Sequence, residues 1–252
     1  MNFNADMKNF QKKIFDKFFW GQHPEAAIRY SPVVREIKAH HLQNSKILEI
    51  GPGSSGIIPY LKVPIDGVDV DFSGSPQTEL LTKIKGTATN LPFRKNSYDV
   101  TISVDVLEHL TKPDREKAIA QILKNSKKLA IIVVPIGELS QKQDKELKTR
   151  WERIFKTKNQ FLSEHVQNGL PKTDDILVTI DREARKLDKK VKVKSFPNLN
   201  LKVRKILMYT WISKSKITYY LYMKGYLLLL PFFKLANFGD CYRRVFVIEF
   251  VS

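Results

Sequence analysis

A single cysteine, Cys241, leaves no way to build an intrachain disulfide, a four-cysteine zinc site or an iron–sulfur site from this chain. Apolar runs are short as well. The stretch 226–233 falls well below the roughly 20 residues that span a bilayer, and Lys224, Gly225, Pro231 and Lys234 interrupt any longer reading. Lys8, Lys12, Lys13 and Lys17 break segment 1–20, which argues against a secretory signal there. Acids are scarce too. Against 43 Lys and Arg there are 26 Asp and Glu, a formal charge of +17. Such an imbalance points to an anionic partner, whether nucleic acid, a phosphate-bearing substrate or a lipid surface, although a solvated lysine-rich surface gives the same count. The expectation is a cytoplasmic chain with room for peripheral contact to an anionic membrane.

What is present is enough for a core. Hydrophobic residues make up 42% of 252 positions, sufficient for one α/β domain. Phe3, Met7, Phe10, Ile14 and Phe18 recur at helical spacing, and a second helix is predicted from about Pro32 to His41. Strands are predicted at 46–50, 65–70, 98–104, 128–134, 191–196 and 243–251. Helices are predicted from 57, and at 75–84, 114–125, 140–155 and 173–186. This alternation predicts a Rossmann-like, doubly wound, mostly parallel sheet with a final antiparallel strand and a helical substrate-side insertion. The expected organisation is one domain: N-terminal helices at 1–44, a cofactor-binding core at 45–135, cap elements with one strand at 136–240, and the last strand at 241–252.

Between the first predicted strand and its helix lies Gly51-Pro-Gly-Ser-Ser-Gly56, with Asp69 near the end of the next strand. Glycines let backbone turn tightly against a nucleotide, the following helix start offers free N–H groups, and an acid about 20 residues on accepts ribose hydroxyls. This much fits a nicotinamide cofactor or S-adenosylmethionine equally. Glu49 favours the second, because a carboxylate at that strand end can face an ammonium and would repel a pyrophosphate.

Taken in order, Leu48-Glu-Ile-Gly-Pro-Gly53, Gly67-Val-Asp69, Leu91-Pro-Phe93, Tyr98-Asp-Val100 and Val106-Leu-Glu-His-Leu110 resemble the class I S-adenosylmethionine-dependent methyltransferases of the small-molecule type. The resemblance covers residues 46–135. It implies that Glu49, Gly51 and Gly53 line the methionine end of the cofactor, that Asp69 binds the ribose, and that Val70 packs on adenine. Thr87 stands where that family often carries an acid near the adenine amino group, so the contact would pass to the backbone of Ala88. Ser103 and Asp105 would approach the cofactor from the next strand end. Gly56 reads equally as strand–helix packing, and Asp71 as a turn or cap rather than a second ribose contact.

Methyl transfer is an in-line displacement from a sulfonium that needs positioning of the acceptor above all, and a base only where the acceptor must lose a proton. His109 is the candidate base, with His165 a second; packing roles for His109 and Glu108 are the plainer reading, and His40 and His41 read as surface residues. No carboxylate–histidine spacing singles out a metal, so no metal site is expected. The sequence lacks the Asn/Asp-Pro-Pro-Tyr and Pro-Cys signatures of base methylation, which favours a small, glycan-like or lipid-linked acceptor methylated at oxygen. RNA ribose methylation, a non-catalytic cofactor-binding domain and, last, a nicotinamide-dependent oxidoreductase remain the alternatives. From Lys189 to Gly239 the chain carries eleven Lys and Arg and no acid, interleaved with aromatics such as Tyr209, Trp211, Tyr219, Tyr220, Tyr222, Tyr226, Phe232 and Phe233. A lid over an amphipathic anionic acceptor is the expectation, against an ordinary helical hairpin with solvated lysines.

Overall fold

The computed structural model describes residues 22–251 apart from Pro76 and Lys234, so the helix expected at 3–18 lies outside the described residues. In chain order the elements are α1 (Pro24–Ala39), β1 (Ile47–Ile50), α2 (Ile58–Leu61), β2 (Ile65–Asp69), β3 (Leu81–Lys85) and β4 (Tyr98–Val104). A 3-10 turn (Leu107–His109), α3 (Lys112–Asn125), β5 (Ser126–Pro135), α4 (Gly137–Phe155), α5 (Gln160–Asn168) and α6 (Thr173–Lys186) follow. The chain then runs through β6 (Lys190–Asn200), α7 (Leu201–Trp211), α8 (Lys216–Tyr220), three short helical turns (Leu221–Gly225, Tyr226–Leu228 and Leu230–Phe233) and β7 (Cys241–Val251).

Seven strands form one sheet in the order β3-β2-β1-β4-β5-β7-β6. The β1–β2, β1–β4, β2–β3 and β4–β5 pairs are parallel, and β7 runs antiparallel to both β5 and β6. This is the doubly wound sheet with an antiparallel final strand that the alternation of strand and helix implies.

Strands buried on both faces read as continuous apolar runs, and β5 is the clearest case. Its Leu129, Ile131 and Val133 face a cluster built with Tyr30, Val33 and Ile37 of α1. Its Ala130, Ile132 and Val134 face Ile119, Ile122 and Leu123 of α3 and Ile176 and Ile180 of α6. Each such side chain contributes about 1.5–3 kcal/mol on burial. Two smaller clusters attach the later elements. Leu207, Tyr222, Leu227 and Leu230 pack on Ala27 and Ile28 of α1, while Met208 and Ile212 pack on Leu147 and Leu162.

Three expectations about elements need correction. The first concerns α1, which begins eight residues before Pro32 and carries that proline in its interior. Pro24 sits in the first turn, where the missing N–H costs nothing, and His23 Nδ1 accepts the Ala26 N–H at 3.3 Å. Pro32 cannot donate to the Ile28 carbonyl; the Asn198 amide does so instead, at 3.4 Å. A tertiary contact from a residue 170 positions away thus satisfies what the proline leaves open. Secondly, the stretch 75–84 is no helix among its described residues. Leu81-Thr-Lys-Ile-Lys85 pairs in parallel with β2 as an edge strand, its Lys83 and Lys85 suited to an exposed border. Finally, α2 is a single turn closed by Lys62 in the left-handed region.

Candidate active site

The carboxyl ends of β1, β2 and β4 are adjacent in the sheet, so the loops after them converge. Ligands of open α/β sheets bind at this edge. Gly51, Gly53 and Gly56 all have positive φ, from 53 to 71°. At Gly56 the requirement is steric as well, since a Cβ there would collide with Glu49 Oε2.

Glu49 is wholly enclosed rather than open to a ligand. The Tyr30 hydroxyl donates to its Oε1 at 2.7 Å and the Ile57 N–H to its Oε2 at 2.8 Å. The carboxylate therefore ties the glycine turn to α1, a role for α1 that the sequence reading did not include. Burial pushes its pKa up to about 7, despite the two hydrogen bonds. A folded pKa above the unfolded 4.5 means that Glu49 favours folding most when protonated. Stability without cofactor is therefore expected to fall by up to about 3 kcal/mol as pH rises from 4.5 through about 7. Glu49→Gln should remove that fall, and urea melts of both proteins at several pH values would show it. Parallel pH profiles for the two proteins would mean that Glu49 is solvated.

Asp69, at the end of β2, accepts the Gly53 N–H at 2.9 Å and the Asp71 N–H at 3.3 Å. Beside it Val70 is 60% exposed, an apolar side chain at a strand end. A Cβ built on Gly53 meets nothing within 4 Å, so the turn faces open space there. A carboxylate, an exposed apolar side chain and an uncovered glycine turn thus lie together at the carboxyl ends of β1 and β2. Asp71 accepts from the Ser73 N–H at 2.8 Å and the Ser73 hydroxyl, as a turn residue does. Thr87 closes a tight turn through its carbonyl to Asn90 N–H at 3.2 Å, and Ala88 packs half-buried against the core. The Ser103 side chain is buried within β4.

Asp105 has left-handed backbone, φ 53°, and is enclosed in an ionic cluster. Arg243 Nε donates to it at 2.7 and 3.0 Å and Arg29 Nη1 at 2.8 Å, while Arg243 also pairs with Glu25. Burial would raise the Asp105 pKa, but the Arg243 and Arg29 guanidiniums hold it well below the usual carboxylate range. The carboxylate expected to approach the cofactor is thus committed to α1 and β7. Arg29 and Arg243 had no signal in the sequence, because one sits in an amphipathic helix and the other in a strand.

The histidines lie close together. His109 ends the 3-10 turn after β4, and His165 lies on α5, with Nε2 atoms 3.5 Å apart. His109 Nδ1 donates to Glu164 at 2.7 Å, and His165 Nδ1 to Asp144 at 2.9 Å. Asp144 also accepts from Arg204 at 2.8 Å and the Tyr242 hydroxyl at 2.9 Å. Burial first, and then the neighbouring His165 whenever that ring is protonated, push the His109 pKa down, despite Glu164. Glu108 is enclosed beside them and its pKa is raised, by burial first and then by Asp105. Glu108, His109 and His165 place three ligand atoms within 4.8 Å of one another, a set that no spacing in the sequence singled out. Spacing could not reveal it, since the contributing elements are 56 residues apart and meet only through the packing of α5 on the 3-10 turn. His40 caps the far end of α1 and pairs with Glu249 at 3.2 Å.

Residues 48–134 match the family model described as a methyltransferase domain. No curated protein matches the sequence. Among solved structures, a magnesium protoporphyrin IX methyltransferase from Synechocystis PCC 6803, with S-adenosylhomocysteine bound, superposes at TM-score 0.52 and 13% identity. That alignment covers 88% of this chain and 81% of the other. A SAM-dependent methyltransferase from Thermotoga maritima gives 0.51 and 16%, covering 95% and 94%. At such identities the likeness is one of fold.

Proposed function

We propose that this chain, a class I S-adenosylmethionine-dependent methyltransferase, methylates an oxygen of a small, glycan-like or lipid-linked acceptor that is amphipathic and anionic. The cofactor supplies an electrophilic methyl group; the chain's own work is to position an acceptor in line with it. In this reading Asp69 holds the ribose, Val70 packs on the adenine, and the turn from Gly51 to Gly56 lies against the methionine end.

The observation that carries the acceptor class is an apolar belt left exposed between α7 and β7. Ile217 is 82% exposed, Leu235 76%, and Phe232 69%, and Tyr220, Leu228 and Phe238 are exposed with them. Tyr222, Leu227 and Leu230 turn inward as core, so the hairpin is held in place by one face and presents the other. Isolated exposed apolar residues are ordinary, but these six between Ile217 and Phe238, close in sequence to Lys214 and Lys216 and in a stretch without acids, suit an acyl–phosphate boundary. No helix among the described residues is long and apolar enough to cross a membrane.

Co-sedimentation with vesicles tests this. Binding to anionic vesicles is expected at low salt and should weaken at high salt, with neutral vesicles bound poorly. At about 1 kcal/mol per lysine near an anionic surface, reversing Lys214, Lys216 and Lys224 to glutamate should lower partitioning on the order of 10²-fold or more. Indifference to vesicles of any charge, together with salt-dependent retention on RNA, would transfer the basic stretch to a phosphate backbone and favour ribose methylation instead.

A further inference from the structure

The facing imidazoles pose a problem of protons. Glu164 and Asp144 are acceptors only, so each histidine carries a proton on Nδ1, and in the neutral ring Nε2 holds the lone pair. Asp144 cannot be otherwise, because Arg204 and the Tyr242 hydroxyl already donate to it. With both rings neutral, two lone pairs confront each other across 3.5 Å, an arrangement that a second proton on one ring or a cation between them relieves. A third acceptor joins them. Glu108 Oε1 lies 4.0 Å from His165 Nε2, and Glu108 Oε2 is buried with no hydrogen-bond partner.

Three convergent electron-pair donors, two of them held by carboxylates through the opposite ring nitrogen, are how proteins present histidines to a metal. The spacing is close to what an ion needs. With bonds of about 2.0–2.1 Å, a tetrahedral centre holds its ligand atoms about 3.4 Å apart. The His109–His165 pair is already at that separation, and Glu108 needs only a small shift.

We propose that Glu108, His109 and His165 bind one divalent transition-metal ion of the zinc class. Two imidazoles and one carboxylate are the donor set of an open site, with a position left for an outside oxygen. Magnesium, which prefers oxygen ligands, suits it poorly. Asp105 is not a ligand, since Arg29 and Arg243 occupy its carboxylate. The group follows directly on β4, at the edge where the glycine turn lies. On the acceptor reading above, an acceptor hydroxyl coordinated at the free position would lose its proton more readily, and His109 would serve as ligand rather than base.

Metal binding is measured without any acceptor, so its failure and the failure of the acceptor reading are separable. The full chain is stripped with chelator, dialysed against Zn²⁺ and analysed for metal, and Co²⁺ is titrated in parallel while its visible absorption is followed. One ion per chain is expected, with a Co²⁺ spectrum that excess Mg²⁺ leaves unchanged. His109→Ala and His165→Ala should each weaken binding by at least 10²-fold, and Glu164→Gln by about 10–100-fold through loss of orientation. His40→Ala, at the far end of α1, should bind as wild type does. Thermal melts check folding, and Zn²⁺ should raise the wild-type midpoint but not that of His109→Ala. Should buried His165→Ala fail to fold, His109→Ala and Glu108→Gln decide. Absence of stoichiometric uptake by the wild type, or uptake unchanged in those two variants, overturns the proposal.

Discussion

Arg243→Met is expected to lower the unfolding free energy by about 3–5 kcal/mol at neutral pH, the usual cost of stripping a buried ion pair of one partner. Arg243 projects from β7 into the space under α1 and is almost fully buried. It donates to both oxygens of Asp105 and pairs with Glu25. Without it, two enclosed carboxylates share Arg29, which stands 2.8 Å from Asp105 and 3.7 Å from Glu25. The pH dependence identifies the cause. Asp105 and Glu25 both titrate below their ordinary values in the folded protein, so their contribution is full above the unfolded carboxylate range. It is lost as pH falls through that range, near pH 4, and below it. The gap between wild type and Arg243→Met should therefore narrow in acid, and Asp105→Asn with Glu25→Gln should recover part of it at pH 7. Urea denaturation gives all of these values. A loss under about 1 kcal/mol at pH 7 would mean that water reaches the cluster and screens it.

That cluster also shows where reading the sequence stops. Strands β1, β4 and β5 announce themselves because both their faces are buried, and a run such as Leu129-Ala-Ile-Ile-Val-Val134 has no other use. The glycine turn and Asp69 are legible because a tight turn admits few residues and the acid follows at a regular distance. Nothing local marks Arg29, Tyr30 or Arg243. Each gains its role only when α1 is laid across the strand ends, and α1 itself is obscured by Pro32, whose interior place depends on the distant Asn198. The edge strand β3 is misread as helix because one exposed border and its polar Thr82, Lys83 and Lys85 leave it little apolar periodicity. His109 and His165 are each visible as histidines, but that they form a pair is a fact of packing.

Removing the Asp69 carboxylate tests the cofactor site most severely. If Asp69 accepts from both ribose hydroxyls, Asp69→Ala removes two hydrogen bonds to a charged acceptor, each worth roughly 1.5–3 kcal/mol. The affinity for S-adenosylhomocysteine should then fall by 10²-fold or more, since each 1.4 kcal/mol is about tenfold. The same carboxylate receives the Gly53 N–H at 2.9 Å, so a loosened turn is a second source of any loss. Asp69→Asn separates the two, because the amide oxygen still accepts from Gly53 while the charge is gone. A double-mutant cycle with a cofactor analogue lacking the ribose hydroxyls separates them further. Wild type should bind the analogue weakly, and Asp69→Ala should bind cofactor and analogue alike. Calorimetry that finds the variant discriminating between them as well as wild type does would detach Asp69 from the ribose and leave it a turn residue.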